Sequence, residues 1–169
     1  LSRRDVSRSC YEWCWGMKDE RPLGVAVLGL GHWGPNHVRV FNQCSNSKVV
    51  ICADPLPHRR AYIRRLYQNV VVTNKVEDAL HHPKVKVVVI ATPADTHYKL
   101  AKAAIKAGKH ILVEKPICTD RKEAEALFRL SRNAHVAMMQ GHVFIYHQGI
   151  RFIKEKIEKG DFGKIQYLH

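Results

Sequence analysis

The fold is decided by one stretch near the amino terminus, VAVLGLGHWGP at residues 25–35. Four apolar residues run directly into the pattern GxGxxG, and a proline stands where a helix would begin. A bare GxGxxG is common by chance, but a strand before it and a helix start after it make it specific. Gly29 permits the tight turn, Gly31 lets a pyrophosphate approach the backbone, and Gly34 lets the helix pack against the strand. The stretch therefore predicts a dinucleotide-binding turn.

Downstream of this turn, short apolar runs alternate with longer stretches of helical period. Such alternation is typical of a parallel sheet covered by helices on both faces. The predicted strands are 24–30, 48–53, 70–73, 85–91, 110–114, 135–140 and 164–168. The predicted helices are 34–44, 57–67, 76–81, 95–107, 120–131 and 144–159. Gly108 is expected to end the fourth helix, and Thr119 to cap the fifth.

We therefore expect an α/β fold, a Rossmann-type doubly wound parallel sheet, followed by the truncated start of a second α+β domain. Residues 1–22 show no period, and we interpret them as a leader or appendage without regular structure. Because Met17 stands six residues before the first apolar run, residues 1–16 are interpreted as a mis-assigned leader. Residues 23–142 would form the dinucleotide-binding domain. Residues 143–169 would form a linking helix and the first strand of a carboxyl-terminal substrate domain.

The second predicted strand is followed directly by Asp54. An acidic side chain at this place can accept hydrogen bonds from the adenosine ribose hydroxyls and repel a 2′-phosphate, so NAD is the expected cofactor. Arg59 and Arg60 follow closely, which leaves open a pocket that tolerates the 2′-phosphate of NADP. A purely structural role for Asp54 in the turn with Pro55 also stays open.

Three further clusters stand at the ends of predicted strands. ATPADTH at residues 91–97 follows the fourth strand, Glu114-Lys115-Pro116 the fifth, and Gly141-His142 the sixth. Because an open parallel sheet binds its ligand at the carboxyl ends of its strands, these clusters are expected to surround one site.

Together these motifs resemble the glucose-fructose oxidoreductase, inositol dehydrogenase and rhizopine-catabolism family, Gfo/Idh/MocA. The resemblance extends over residues 23–168, nearly all of the chain after the leader. Within the family, GLGHWGPN at residues 29–36 and GHVFIYH at 141–147 look like the branch that oxidises nucleotide-activated sugars such as UDP-N-acetylglucosamine derivatives.

The resemblance implies roles for particular residues. Lys115 would be the catalytic residue, lying between nicotinamide and substrate, where it can orient a hydroxyl group or relay its proton. Pro116 is expected to follow a cis peptide bond. His97 is interpreted as the anchor of a helix start rather than an acid or base. The expected cofactor-binding residues are Gly29, Gly31, His32, Trp33, Gly34, Asp54, Thr92, Pro93, His97, Glu114 and Lys115.

Beyond the sixth strand, His142, Tyr146 and His147 are candidates for substrate contact, and helix packing is the alternative role for all three. Family members usually carry an Asp and a His, four residues apart, in the second domain, with the His as general acid or base. Nothing in this sequence matches that pair. We therefore expect this fragment to be inactive alone, and the full-length protein to be a homo-oligomer through the missing domain.

Composition narrows the class of protein. The net charge is +13, but the basic residues are dispersed, which favours attraction of an anionic small-molecule ligand over a nucleic-acid interface. Five scattered cysteines suggest reduced thiols and no metal site. No apolar run is long enough to span a membrane, and the first 22 residues do not resemble a signal peptide, so a cytoplasmic protein is expected.

The sequence thus predicts an NAD(P)-dependent oxidoreductase that acts on a CH–OH group of a sugar, nucleotide sugar or cyclitol, with no nucleic-acid or membrane partner. A non-catalytic NAD-binding or sensor module is the alternative. A basic nucleic-acid-binding protein is a third reading, for which no motif is present.

Overall fold

The computed structural model describes residues 22–167, so the interpretation of residues 1–21 lies outside the described chain. Within it, strands and helices alternate as expected. The strands are β1 (Leu23–Leu28), β2 (Ser47–Ala53), β3 (Val71–Thr73), β4 (Val85–Ile90), β5 (His110–Val113) and β6 (Met138–Gln140). The α-helices are α1 (Gly34–Gln43), α2 (Pro57–Leu66), α3 (Val76–Leu80), α4 (Ala94–Lys106), α5 (Arg121–Asn133) and α6 (Gln148–Glu158). A 3₁₀ helix, Val143–Tyr146, precedes α6.

The sheet is parallel throughout and has the order β3-β2-β1-β4-β5-β6. This is the classical order of the dinucleotide-binding Rossmann fold, which confirms the predicted doubly wound sheet. The strand ends are aligned: Leu28 pairs with Ala53 and Ile90. Val113 in turn pairs with Ile90 and Gln140. The segments that follow these strands therefore gather along one edge of the sheet.

Apolar residues fill both faces of the sheet because helices cover both. Val25 and Val27 belong to the core on one face, together with Val38 of α1 and Ile63 of α2. The alternate residues of β1 point to the opposite face, where the core includes residues from α3, α4 and α5. Within the described residues, no buried side-chain nitrogen or oxygen lacks a hydrogen-bond partner. The core is therefore closely packed on both faces of the sheet, with its buried polar groups paired.

Two predicted helix ends can be compared with the structure. Gly108 has φ of 70° just after α4, which confirms it as the residue that ends this helix. Thr119 as the cap of the fifth helix is wrong. Asp120 caps α5, with its Oδ1 accepting hydrogen bonds from the backbone N–H groups of Lys122 (2.6 Å) and Glu123 (3.1 Å). A carboxylate accepts two such donors at once, which favours Asp120 over the neighbouring threonine.

The carboxyl-terminal segment also differs from prediction. The predicted helix over 144–159 is two elements, because His147 is extended (φ −71°, ψ 124°) between the 3₁₀ helix and α6. The predicted strand at 164–168 is not formed over residues 164–167, since no described strand pairs with it. Phe144, Phe152 and Tyr167 are 71%, 58% and 77% exposed. The assignment of residues 143–169 to a second domain stays a prediction.

Candidate functional site

Two of the three glycines in the turn after β1 are required by the backbone conformation of the chain itself. Gly29 has φ of 87°, and a Cβ atom there would lie 2.6 Å from the carbonyl oxygen of Ala91. A Cβ atom at Gly34 would lie 2.0 Å from the carbonyl oxygen of Gly29. Any side chain at either position would therefore distort the turn or the approach of α1 to it.

Gly31 is different, because nothing in the chain requires a glycine there. A Cβ atom on Gly31 would meet only the guanidinium of Arg59, at 3.5 Å, which is ordinary van der Waals contact. The space above Gly31 is therefore open for a ligand to approach the backbone. Beside it, α1 begins after Trp33 with no side-chain cap, so its first N–H groups are available to an anion. This cradle has the space and the donors that the pyrophosphate of a dinucleotide needs, and the contact itself stays a prediction.

His32 and Trp33 lie at the exposed rim of this turn. Their rings meet edge to face with centroids 5.5 Å apart, and Trp33 is 48% exposed. Neither ring is part of the core. Their assignment to the cofactor site stays a prediction.

Asp54 is buried beneath the turn, and the chain itself occupies both carboxylate oxygens. Oδ2 accepts a hydrogen bond from the backbone N–H of Leu30 (2.7 Å), and Oδ1 accepts one from that of Leu56 (2.8 Å). The Arg59 guanidinium lies 3.5 Å from Oδ2 and is 41% exposed, against 1% for the Asp54 side chain. Arg60 instead donates to the carbonyl oxygens of Asp54 and Pro55. At the end of the site where adenosine is expected, the exposed Arg59 guanidinium therefore lies beside the buried Asp54 carboxylate.

Cofactor choice can be tested at Asp54. NAD is expected to bind more tightly than NADP, and Asp54→Ala is expected to narrow the difference, because the carboxylate no longer repels the 2′-phosphate. The same substitution leaves the N–H groups of Leu30 and Leu56 without acceptors, so the free energy of unfolding should fall by about 2–4 kcal/mol. Calorimetric titration with both dinucleotides and urea unfolding measure the two effects.

The matched controls lie on α2. Arg59→Ala should weaken NADP more than NAD, because it removes the cation that faces the Asp54 carboxylate. Arg64→Ala removes the same charge from an exposed position on the same helix and should change neither affinity. Equal affinity of the parent chain for NAD and NADP would contradict the role assigned to Asp54.

The segment after β4 is held by a buried histidine. His97, 1% exposed, lies with Nε2 2.8 Å from the carbonyl oxygen of Thr92 and Nδ1 2.7 Å from that of Pro116. Thr92 Oγ1 also shares a hydrogen bond with Thr96 Oγ1 at 2.6 Å. The ring thus joins the ends of β4 and β5, in line with its interpretation as an anchor. A direct contact between His97 and a cofactor is not favoured, because the ring is enclosed by protein.

Substitution of His97 should therefore act on stability. His97→Leu keeps a side chain of similar size but removes both hydrogen bonds of the buried ring to the half-buried loop carbonyl oxygens, so we expect a loss of about 1–3 kcal/mol in the free energy of unfolding. Urea unfolding followed by circular dichroism measures it. His81→Leu is the control: this exposed ring bonds only the carbonyl oxygen of Glu77, and its loss should cost under about 0.5 kcal/mol. Equal effects would refute the anchoring role.

The segment Glu114-Lys115-Pro116 follows β5, and the peptide bond between Lys115 and Pro116 is cis, as predicted. Lys115 is exposed, and it borders a cavity of about 270 Å³. The cavity is lined by Lys115, Pro116, Gln140, Gly141, His142, Val143 and Phe144. A wider depression of about 360 Å³ lies among the amino ends of β2 and β3, away from these residues. The cavity at Lys115 is therefore the better candidate for the reacting end of the ligands.

The three candidate substrate residues lie in the exposed segment after β6. His142 lines the cavity at Lys115. Tyr146 is 53% exposed, with the Arg151 guanidinium 5.7 Å from its ring centroid. His147 is exposed at the start of α6. Only His142 is therefore placed beside Lys115, and contact of the other two with a substrate stays a prediction.

Sequence reasoning missed one residue of this site. His37, on the first turn of α1, contacts Glu114 with Nε2 2.8 Å from Oε1. The two residues are 77 positions apart, so no local pattern connects them. The available signal was position: His37 lies three residues after Gly34, on the helix that begins at the glycine turn.

Other kinds of site are not supported. Within residues 22–167, no cluster of three or more His, Cys, Asp or Glu side chains could hold a metal ion. Burial raises the pKa of the Cys52 thiol to about 12, so this cysteine is a protonated core residue. None of the helices in the described chain is long and apolar enough to cross a bilayer.

The comparisons with known proteins agree with this geometry. A family model described as "Oxidoreductase family, NAD-binding Rossmann fold" (Gfo/Idh/MocA) matches residues 23–142. The chain belongs to this family. It is 35% identical over 153 residues to an inositol 2-dehydrogenase of Streptomyces avermitilis, a match that covers 87% of the chain and 43% of the relative. It is 31% identical over 151 residues to a UDP-N-acetylglucosamine 3-dehydrogenase of Acidithiobacillus ferrooxidans, covering 86% and 44%.

Solved structures give the same result for the fold. A 3-ketoreductase variant from Actinomadura kijaniata, solved with TDP-benzene and NADP, is 25% identical and has a TM-score of 0.79, covering 86% of this chain and 46% of that one. A scyllo-inositol dehydrogenase from Lactobacillus casei, solved with NAD(H) and scyllo-inositol, has a TM-score of 0.78 at 22% identity, covering 86% and 43%. This second likeness shows the fold alone. The Gfo/Idh/MocA chain described here spans less than half the length of these relatives.

Proposed function

We propose that this protein is an NAD(P)-dependent dehydrogenase acting on a CH–OH group of a sugar, nucleotide sugar or cyclitol. One observation carries the proposal: the glycine turn, Thr92 and the Glu114–Lys115 segment meet at one edge of the sheet. Close approaches join them, from Gly29 to Thr92 and from Glu114 to α1. Inositol and UDP-N-acetylglucosamine dehydrogenases among the relatives support this substrate class. When bound, NAD supplies the hydride acceptor, C4 of its nicotinamide.

Different residues of this chain are proposed to bind different parts of the cofactor. Gly31 and the uncapped start of α1 hold the pyrophosphate. Arg59 is placed to meet the adenosine ribose or a 2′-phosphate, and Asp54 acts there through its negative charge, since both its oxygens already accept backbone N–H groups. Glu114 orients the nicotinamide ribose, and Thr92 with Pro93 follows the cofactor between them. His32 and Trp33 cover the outer side of the turn.

Lys115 is the proposed catalytic residue. Lys115 is exposed and lines the cavity, where its amine would either orient a substrate hydroxyl or relay the proton of that hydroxyl. One amine cannot both orient the alcohol and accept its proton. The remaining general acid or base and the outer wall of the substrate site are therefore proposed to come from a second domain. His142, Tyr146 and His147 would face that domain.

The described half of the protein is therefore proposed to bind cofactor without turnover. We further propose that the full-length protein forms homo-oligomers through the second domain, works in the cytoplasm, and uses neither nucleic acid nor membrane as a partner.

The test of the proposed function is calorimetric titration of the 169-residue chain with NAD, followed by the same titration and an activity assay on a protein extended to the length of its relatives. Binding by both lengths with turnover by neither would favour a non-catalytic NAD-binding module.

A further inference from the structure

His37 and Glu114 connect the middle of the proposed cofactor site to its nicotinamide end. His37 belongs to α1, whose amino terminus faces the pyrophosphate cradle, and Glu114 follows β5 at the nicotinamide end, beside Lys115. The 2.8 Å contact between Nε2 and Oε1 is mostly shielded, since the two side chains are 18% and 15% exposed. A shielded pair with a short contact constrains both side chains more than an exposed pair does.

The Glu114 carboxylate is held by two contacts. Oε1 contacts His37, and Oε2 accepts a hydrogen bond from the backbone N–H of Lys115 at 3.2 Å. The end of β6 lies nearby: a Cβ atom added to Gly141 would lie 3.3 Å from Oε2, so the glycine leaves the carboxylate its space. The orientation of Glu114 therefore depends on α1 as well as on its own strand.

We propose that His37 is a positioning residue: it fixes the Glu114 carboxylate so that this group meets the diol of the nicotinamide ribose. The inference rests on the proposed function, because it requires a dinucleotide in the cradle. Its physical basis is preorganisation, since a carboxylate already held in place loses less side-chain freedom when it accepts a hydrogen bond from a ribose hydroxyl. His37 would act at the nicotinamide end although it lies on the phosphate-binding helix.

A purely structural role for His37 makes a different prediction. Its ring also lies 6.4 Å from the ring of Phe41, centroid to centroid, so it could simply pack α1 against the sheet. Loosened packing of α1 would weaken every ligand that binds its amino terminus. A misplaced Glu114 would weaken only ligands that carry the second ribose. Ligands of different length therefore distinguish the two roles.

The experiment titrates the chain with NAD, ADP-ribose and ADP by calorimetry. His37→Leu retains apolar packing and loses the hydrogen bond, whereas His37→Gln retains a donor near the position of Nε2. We expect His37→Leu to weaken NAD and ADP-ribose about tenfold and ADP less than twofold, and His37→Gln to recover most of the loss. Arg39→Ala, on the exposed side of α1, should leave all three affinities unchanged.

Each other outcome overturns the inference in a recognisable way. An equal loss for ADP and NAD in His37→Leu would make His37 a packing residue of α1. Unchanged affinities for all three ligands would show that Glu114 needs no positioning. If the parent chain binds none of the three, the proposed function fails and the inference with it. Thermal unfolding of each variant separates lost binding from lost fold, and His37→Gln carries the comparison if His37→Leu does not fold.

Discussion

Gly31→Val is expected to abolish measurable NAD binding while leaving the fold intact. Gly31 is the one glycine of the turn whose Cβ atom would meet no backbone, so a branched side chain fits the chain but fills the space needed by the pyrophosphate. The loss should be at least about 100-fold in affinity, roughly 2.7 kcal/mol. Calorimetric titration with NAD and the circular dichroism spectrum measure binding and fold. Retained affinity in a folded variant would show that the phosphates bind elsewhere.

Two further variants control this experiment. Gly31→Ala is the graded case, since a single methyl group should weaken NAD less than the valine does. Gly31→Val combined with Arg59→Ala removes the one side chain that the new Cβ atom contacts. If NAD binding returns in the double variant, a displaced Arg59 side chain caused the loss of affinity in Gly31→Val. A direct clash between the valine and the pyrophosphate would then be the wrong explanation. Substitution of Gly29 or Gly34 cannot serve this purpose, because both are required by the turn itself.

Lys115→Ala, in a protein extended to the length of its relatives, should lower kcat by about 100-fold or more and change the Kd for NAD less than threefold. The reason is that Lys115 lines the cavity at the reacting end, whereas the glycine turn, Asp54 and Glu114 are proposed to supply most of the binding energy for the cofactor. Turnover is measured by the absorbance of the reduced cofactor with inositols, free sugars and UDP-sugars as substrates. Lys122→Ala, which removes an exposed lysine on α5, is the control and should have parental activity.

The second part of this prediction compares the 169-residue chain with the extended protein. The 169-residue chain should bind NAD and turn over none of these substrates, whereas the extended protein should oxidise at least one of them. Hydride transfer needs the alcohol held roughly 3–3.5 Å from the nicotinamide and a base within reach of its proton. Substantial turnover by the short chain would contradict the proposal that a second domain supplies the missing acid–base group.

Much of the framework followed from local chemistry. The alternation of apolar runs with helical periods predicted six parallel strands within residues 23–142, and all six form within about three residues of their predicted bounds. The predictions were wrong where contact with another part of the chain decides the secondary structure. The predicted strand at 164–168 has the composition of a strand, but residues 164–167 have no partner strand within the described chain. The sixth strand begins at Met138 rather than at His135, because the end of α5 extends this far: His135 has φ of 54°, and the N–H of Val136 donates to the carbonyl oxygen of Ser131.

The same division applies to the candidate site. By itself, the sequence determined the glycine turn, the acidic end of β2 and the residues that follow each strand, because these depend on backbone conformation and on neighbours within a few positions. Only the tertiary structure decided how these groups are used. It gave both Asp54 oxygens to backbone N–H groups, enclosed His97 between two carbonyl oxygens, and joined His37 to Glu114 across 77 positions. Long-range hydrogen bonds of this kind depend on side-chain directions in three dimensions. A local sequence pattern therefore does not predict them.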